Sequence, residues 1–211
     1  MRVLDLFCGM GGWSVGFYRE GFDCTGIDIV DVGYPYAFFK RDIRDFHCDG
    51  LVRPDVIVAS PPCTEFSPIT KLSFRKGQRG PPDPAKGMEL VKETRRVIKE
   101  ANPTYWLMEN VMGSIPYIKE EFGKPMLEAR PWALWGNLPM GIFPQEPMKH
   151  NKQFHQLNDW QRGKGGDRRG LPEDFPFDPL RSWKRARIPV WLAQTIAKAC
   201  KATILGGKPE P

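Results

Sequence analysis

Three short apolar runs constrain this chain more than any other feature, because each stops abruptly at residues that a plain strand does not need. Val3-Leu4-Asp5-Leu6-Phe7-Cys8 reads as a buried strand that runs straight into Gly9, Gly11 and Gly12, which turn the chain into a helix that Gly21 can cap. Asp23 to Ile29 reads as a second strand with the acidic Asp28 near its end, and Pro54-Asp55-Val56-Ile57-Val58-Ala59 as a third, stopped by Pro61-Pro62. Between Met88 and Ala101, Leu90, Val91, Thr94, Val97, Ile98 and Ala101 recur at helical spacing with Lys and Arg opposite, and a strand at Thr104-Tyr105-Trp106-Leu107-Met108 follows. Strands alternating with helices predict an α/β fold: a doubly wound, mostly parallel sheet covered on both faces. Ligands of such sheets bind at the carboxyl ends of the strands, where the unusual residues of this chain stand.

With 211 residues, 41% of them hydrophobic, the chain has the apolar material for one packed domain. Its 31 Lys and Arg exceed its 25 Asp and Glu, and the net charge of +6 points to an anionic partner without naming it. No apolar run approaches the ~18–20 residues of a membrane span. Met1-Arg2-Val3-Leu4-Asp5 puts a carboxylate where a signal peptide is apolar, so a cytoplasmic protein is expected. Five cysteines, none in C-x-x-C spacing, read as free thiols, and His47, His150 and His155 make no ligand pattern, so no metal is expected. After about Met140 an irregular, basic, Pro- and Gly-rich stretch sets in. Order returns at Pro189, expected as the first residue of a helix through Ala197, with Gly206 to Pro211 as a tail.

Three strand ends carry candidate chemistry. In Asp5-Leu6-Phe7-Cys8-Gly9-Met10-Gly11-Gly12, glycines let backbone approach a nucleotide-like ligand and a helix N-terminus supplies free N–H groups, although Ser14 breaks the dinucleotide fingerprint. Asp28 lies where a carboxylate takes ribose hydroxyls; a tight turn and a surface Asp is the plain alternative. In Ser60-Pro61-Pro62-Cys63-Thr64-Glu65-Phe66-Ser67 a proline-stiffened turn holds Cys63 toward the cleft as a nucleophile, the alternative being a small buried hydrophobe. Glu109 of Glu109-Asn110-Val111 faces the same cleft, where desolvation raises a carboxyl so that it can share a proton, the alternative being an acidic cap on the next turn.

Taken together, Phe7-Cys8-Gly9-Met10-Gly11-Gly12, Pro62-Cys63 and Glu109-Asn110-Val111 resemble the cytosine-C5 methyltransferases, with their F-x-G-x-G loop, Pro-Cys motif and E-N-V strand end. The wording S-P-P-C-T-E-F-S, with L-W-G-N-L-P at Leu134 to Pro139 and R-A-R-I-P at Arg185 to Pro189, looks most like the short viral and phage branch. The resemblance covers about residues 1–140 and 181–200. It implies a SAM-dependent, Rossmann-like catalytic domain over 1–140 and 181–205, with 141–180 as a small irregular insertion that serves as a reduced target-recognition region. S-adenosyl-L-methionine is the implied methyl donor, becoming S-adenosyl-L-homocysteine. Gly9, Met10, Gly11 and Gly12 would line it, Phe7 would pack on its adenine or sulfonium side, Asp28 would bind the ribose, and Ile29 would cover the adenine. Asp42, beside Ile43, would accept from the adenine amine, and Ser60 and Pro62 would form the wall between cofactor and base.

By the same resemblance Cys63 adds to carbon 6 of a flipped cytosine while Glu109 holds N3 and the exocyclic amine. The base that takes the carbon 5 proton is not identified, and water can serve. Double-stranded DNA is the implied partner of a monomer, in a restriction-modification or anti-restriction setting. Thr64 and Ser67 would lie near the substrate. Lys71, Arg75, Lys76, Arg79 and Lys86, in a loop from Pro68 to Gly87, would close over the DNA backbone, unless this is simply a solvated charged loop.

The departures are specific. Thr64 stands where the family usually has Gln, Arg130 is the nearest candidate for a missing Q-x-R-x-R segment, and Ala186-Arg187 replaces small polar residues near the last helix. Arg162, Lys164, Arg168 and Arg169 in the insertion would neutralise phosphates. A tRNA substrate, or a non-catalytic SAM- or DNA-binding regulator, remains as an alternative. An NAD-dependent oxidoreductase is disfavoured by Ser14 and leaves Pro62-Cys63 unexplained.

Overall fold

The structure, a computed structural model, describes residues 1–67, 75, 77, 80–129, 132–139 and 188–206. The expected alternation is present as β1 (Arg2–Leu6), α1 (Gly12–Arg19), β2 (Asp23–Asp28), β3 (Ala37–Lys40), β4 (Val56–Ala59), α2 (Pro84–Ala101), β5 (Tyr105–Val111), α3 (Ile115–Phe122), β6 (Leu127–Ala129), β7 (Trp132–Gly136) and α4 (Val190–Ile204). The strands form one sheet in the order β3-β2-β1-β4-β5-β7-β6. Pairing is parallel from β3 to β5, whereas β7 runs antiparallel to both β5 and β6. This is the doubly wound, mostly parallel α/β sheet expected. Strand order reverses between β1 and β4, so their carboxyl ends open the crevice where such sheets bind ligands.

Alternate residues feed two cores. Val3, Val56, Val58 and Leu107 pack with Phe17 of α1 and Ile196 of α4, while Leu4, Ile57 and Met108 pack with Val91 and Ile98 of α2 and Ile118 of α3. A strand covered on both faces has no polar side to show, so β4 is apolar throughout.

Several boundaries differ from expectation, each for a local reason. β1 ends at Leu6 rather than Cys8 because Phe7 takes φ 59, a left-handed conformation that no strand continues through. α2 begins at Pro84, four residues before Met88, since Asp83 caps it by accepting from the amides of Ala85 and Lys86. Lys86 and Gly87 are therefore in its first turn and not in a loop. Pro189 is the N-cap of α4, and Val190 its first residue. β3, α3, β6 and β7 are elements that periodicity did not single out.

The connection from β2 to β3 spans only residues 29–36, whereas a parallel crossover ordinarily takes a dozen residues or more and a helix. Aromatic rings stand in for that helix. Tyr34 lies 5.6 Å from Tyr36 and 6.0 Å from Phe38 between ring centroids, and Tyr36 lies 4.7 Å from Tyr18 of α1. Gly26 of β2 makes the room: a Cβ there would come within 2.6 Å of the Tyr34 ring and 2.7 Å of Cys8 Sγ.

Candidate active site

A cleft of about 460 Å³ opens at the carboxyl ends of β1, β2, β4 and β5. Phe7, Gly9, Met10, Gly12, Asp28, Ile29, Asp42, Ile43, Ser60, Pro62, Cys63, Thr64 and Glu109 line it, which brings the expected cofactor and catalytic residues to one place. Gly11 is not on the wall; it is the left-handed N-cap of α1, with φ 73, a conformation that favours glycine. Ser67 and the exposed Arg75 do not line the cleft. Lys71, Lys76, Arg79, Arg130, Arg162, Lys164, Arg168, Arg169, Ala186 and Arg187 lie outside the described residues, as does the whole 141–180 insertion.

One carboxylate shapes the glycine loop. Asp28 Oδ2 accepts from the Gly9 amide at 3.0 Å and Oδ1 from the Val30 amide at 3.3 Å, so the end of β2 clamps the turn that follows β1. Burial pushes the Asp28 carboxyl up, and these amides pull it back. A carboxylate has about four acceptor sites, so two amides leave room for ribose hydroxyls. Ile29, 57% exposed and facing the cleft, is an apolar surface that a flat base would cover. Asp42 is held at about 2 by Arg44, whose guanidinium reaches its two oxygens at 3.0 and 2.6 Å, and so offers a charged acceptor at the same rim. With the unpaired amides at the start of α1, this donor set fits a nucleoside joined to a charged tail.

The nucleophile turn is pinned at three points. Asn110, fully buried, donates Nδ2 to the Pro61 carbonyl at 3.0 Å and accepts the Val111 amide on Oδ1 at 2.9 Å. Glu65 Oε2 accepts the Asp83 amide at 2.8 Å, tying the turn to the cap of α2. Phe66 packs on Gly87, where any Cβ would meet its ring at 2.6 Å. The residue after the Glu109 carboxyl thus holds the peptide two residues before the Cys63 thiol. The sequence reading named Asn110 only as part of a motif; its buried amide needs two partners, and the adjacent strand end was the place to look.

Both catalytic candidates keep their protons more tightly than usual. Burial, and then the Glu109 charge, push the Cys63 thiol up to about 11. Burial pushes Glu109 up to about 7, with the Ser60 side chain opposing it as a hydrogen-bonding neighbour. The site can therefore hold a protonated acid beside a thiol near neutral pH.

A buried polar chain also lies under the loop. Ser14 Oγ donates to Asp5 Oδ2 at 2.7 Å and stands 2.6 Å from the Tyr34 hydroxyl, and burial raises Asp5 to about 7. Ser14, which breaks the dinucleotide fingerprint, is here the link between β1 and the aromatic rings around Tyr34.

The five cysteines are free thiols, and among the described residues no cluster could hold a metal and no helix is long and apolar enough to cross a membrane. A model of the C-5 cytosine-specific DNA methylases matches residues 1–127. The type II methyltransferase M.FnuDI of Fusobacterium nucleatum is 32% identical over 136 residues, which are 61% of this chain and 37% of that protein. M.AquIA of Picosynechococcus is 30% identical, over 56% of this chain and 51% of its own length. A prophage-encoded E. coli protein described as a DNA modification methyltransferase superposes with a TM-score of 0.42 at 24% identity, over 56% of this chain and 34% of its own. The chain spans about a third to a half of the length of these curated relatives. Since the matched stretch holds the glycine loop, the Pro-Cys turn and the Glu109 strand, and is more than half of the chain, the protein belongs to the C-5 cytosine-specific DNA methylase family.

Proposed function

We propose that this chain is a DNA (cytosine-5)-methyltransferase that takes its methyl group from S-adenosyl-L-methionine and attacks cytosine through Cys63. The observation that carries the reading is that Cys63 and Glu109 share one cleft with the Gly9 loop and Asp28. A nucleophile, an acid and a nucleoside cradle meet there. S-adenosyl-L-methionine, when bound, supplies an electrophilic methyl group beside the reacting base.

The chain's own residues account for the remaining steps. Carbon 5 of cytosine is a weak nucleophile until a bond forms at carbon 6. The Cys63 sulfur would make that bond as its proton passes to solvent water, and Glu109, whose carboxyl burial pushes up to about 7, would give a hydrogen bond or a proton to N3, so the ring does not accumulate negative charge. Carbon 5 would then take the methyl group as the bond from the methyl carbon to the sulfonium breaks and S-adenosyl-L-homocysteine leaves; the carbon 5 proton would pass to a base, and the electron pair it leaves would expel the Cys63 sulfur from carbon 6. Ser60 and Pro62 line the cleft and would form the wall between cofactor and base. The target must leave the stack to reach Cys63, at a cost of a few kcal/mol. We assign residues 1–140 and 181–205 to the catalytic unit and 141–180 to DNA contact.

The test is transfer of labelled methyl from S-adenosyl-L-methionine to mixed-sequence duplex DNA, followed by digestion to nucleosides. Label in 5-methyldeoxycytidine is expected, and Cys63→Ala should abolish it while leaving cofactor affinity in place. Label in tRNA alone would replace the substrate, and cofactor binding with no transfer to either would leave a non-catalytic binder.

A further inference from the structure

We propose that Arg96 of α2 is a positioning residue for the cofactor: its guanidinium holds the turn that carries Asp42 and Ile43, so that both stay at the rim of the cleft where an adenine would lie. The inference rests on the function proposed above and deepens it. Arg96 does not line the cleft and acts through that turn. Between the end of β3 at Lys40 and the start of β4 at Val56, residues Ile43–Asp45 form a single 3-10 turn with Asp42 as its N-cap. Its own bonds run from the Asp45 and Phe46 amides to the Asp42 and Ile43 carbonyls, at 3.1 and 3.3 Å. A turn this short is costly to form by itself.

Arg96 supplies the anchor from 50 and more residues away. Its Nη2 donates to the Ile43 and Phe46 carbonyls, each at 2.8 Å. The rest of the fork is fixed largely by its own helix: Nε donates to Glu93 Oε2 at 2.6 Å and Nη1 to Glu100 Oε1 at 2.7 Å, one turn before and one turn after Arg96. Nη1 also lies 3.3 Å from His47 Nδ1, which accepts in its neutral form. Five donors thus meet five acceptors, and the guanidinium has one orientation. The Ile43 and Phe46 side chains share a core with Val97 and Ile98 of the same helix. What the turn presents to the cleft is an acceptor. Asp42 Oδ1 accepts the Arg44 amide and Nε at 2.9 and 3.0 Å, and Oδ2 accepts Nη2 at 2.6 Å. A carboxylate has about four such sites, so among the described residues Oδ2 keeps one for a donor in the cleft. The exocyclic amine of adenine is a donor of that kind, and the exposed Ile29 in the same lining offers an apolar face to the ring. A lysine at position 96 would keep the charge and lose the planar fork.

The experiment is calorimetry on the full chain with two probes, S-adenosyl-L-homocysteine and the same molecule with hydrogen in place of the adenine amine. The wild-type chain should bind the first about tenfold to a hundredfold more tightly, the worth of one hydrogen bond to a charged group. In Arg96→Met that preference should fall to about threefold or less, as it should in Asp42→Ala, and the double variant should match Asp42→Ala alone, because the two residues act as one unit. Arg96→Lys should lose most of the preference as well. A role in stability alone would weaken both probes alike and leave the preference intact. That result overturns the proposal, and so does a preference kept in full by Arg96→Lys. If Arg96→Met does not fold, Arg96→Lys carries the test. Binding needs no turnover, so the outcomes separate. A wild-type chain that binds neither probe removes the cofactor reading and this inference with it. One that binds both equally keeps the cofactor and removes the role of Asp42 and Arg96, and one that prefers the amine while Arg96→Met does so undiminished removes Arg96 alone.

Discussion

At the scale of single residues, burial pushes Asp28, Cys63 and Glu109 towards their protonated forms. Asp28 is 6% exposed and spends one oxygen on the Gly9 amide, so it holds the loop in shape before any ligand arrives. Hydrogen bonds to a charged group are worth about 1.5–3 kcal/mol, and Asp28→Ala should weaken S-adenosyl-L-methionine binding by about tenfold to a hundredfold in calorimetry. An unchanged affinity would remove Asp28 from the ribose. Asp28, Cys63 and Glu109 were legible in the sequence because an acid or a thiol at the end of an apolar run stands out. Trp13, Ser14, Tyr34 and Asn110 were not, because a tryptophan, a serine, a tyrosine and an asparagine in apolar surroundings look like ordinary packing until their polar atoms are seen to find partners.

At the scale of elements, close approach of helices sets the frame. α1 crosses α4 at Gly16, where an added Cβ would lie 2.4 Å from Ala193 Cβ and 2.6 Å from the Gln194 amide. Gly16→Ala should therefore destabilise the fold by about 1–3 kcal/mol in denaturant unfolding. Gly80→Ala, whose Cβ meets nothing within 4 Å, is the control and should leave the unfolding midpoint unmoved. An equal midpoint for both variants would mean that α4 does not press on α1. Long periodic elements such as α2 were legible to within a turn. The short strands β3, β6 and β7 were not, although β1 and β4 are no longer, because the three lie at or next to the edges of the sheet and owe their pairing to neighbours already in place.

At the scale of the whole molecule, the net charge of +6 and the basic residues within 141–180 give the proposed DNA contact a salt dependence that can be measured. If Arg162, Lys164, Arg168 and Arg169 each neutralise a phosphate, replacing all four by Ala should flatten the slope of log affinity against log salt by about 3–4, at roughly 0.9 per contact. An unaltered slope, measured by fluorescence anisotropy on a duplex, would make that stretch a bystander. The sequence by itself determined the succession β1, α1, β2, β4, α2, β5 and α4, the glycine turn, and the three strand ends that carry Asp28, Cys63 and Glu109, because each is a local pattern of apolar runs and the residues that stop them. The tertiary structure alone decided which of those ends face one cleft, that aromatic rings replace a crossover helix between β2 and β3, and that the Trp13 indole of α1 meets the Ser60 hydroxyl after β4. The physical reason is that hydrogen bonds and burial between residues far apart in the chain depend on sheet order and close packing, which no window of neighbouring residues contains.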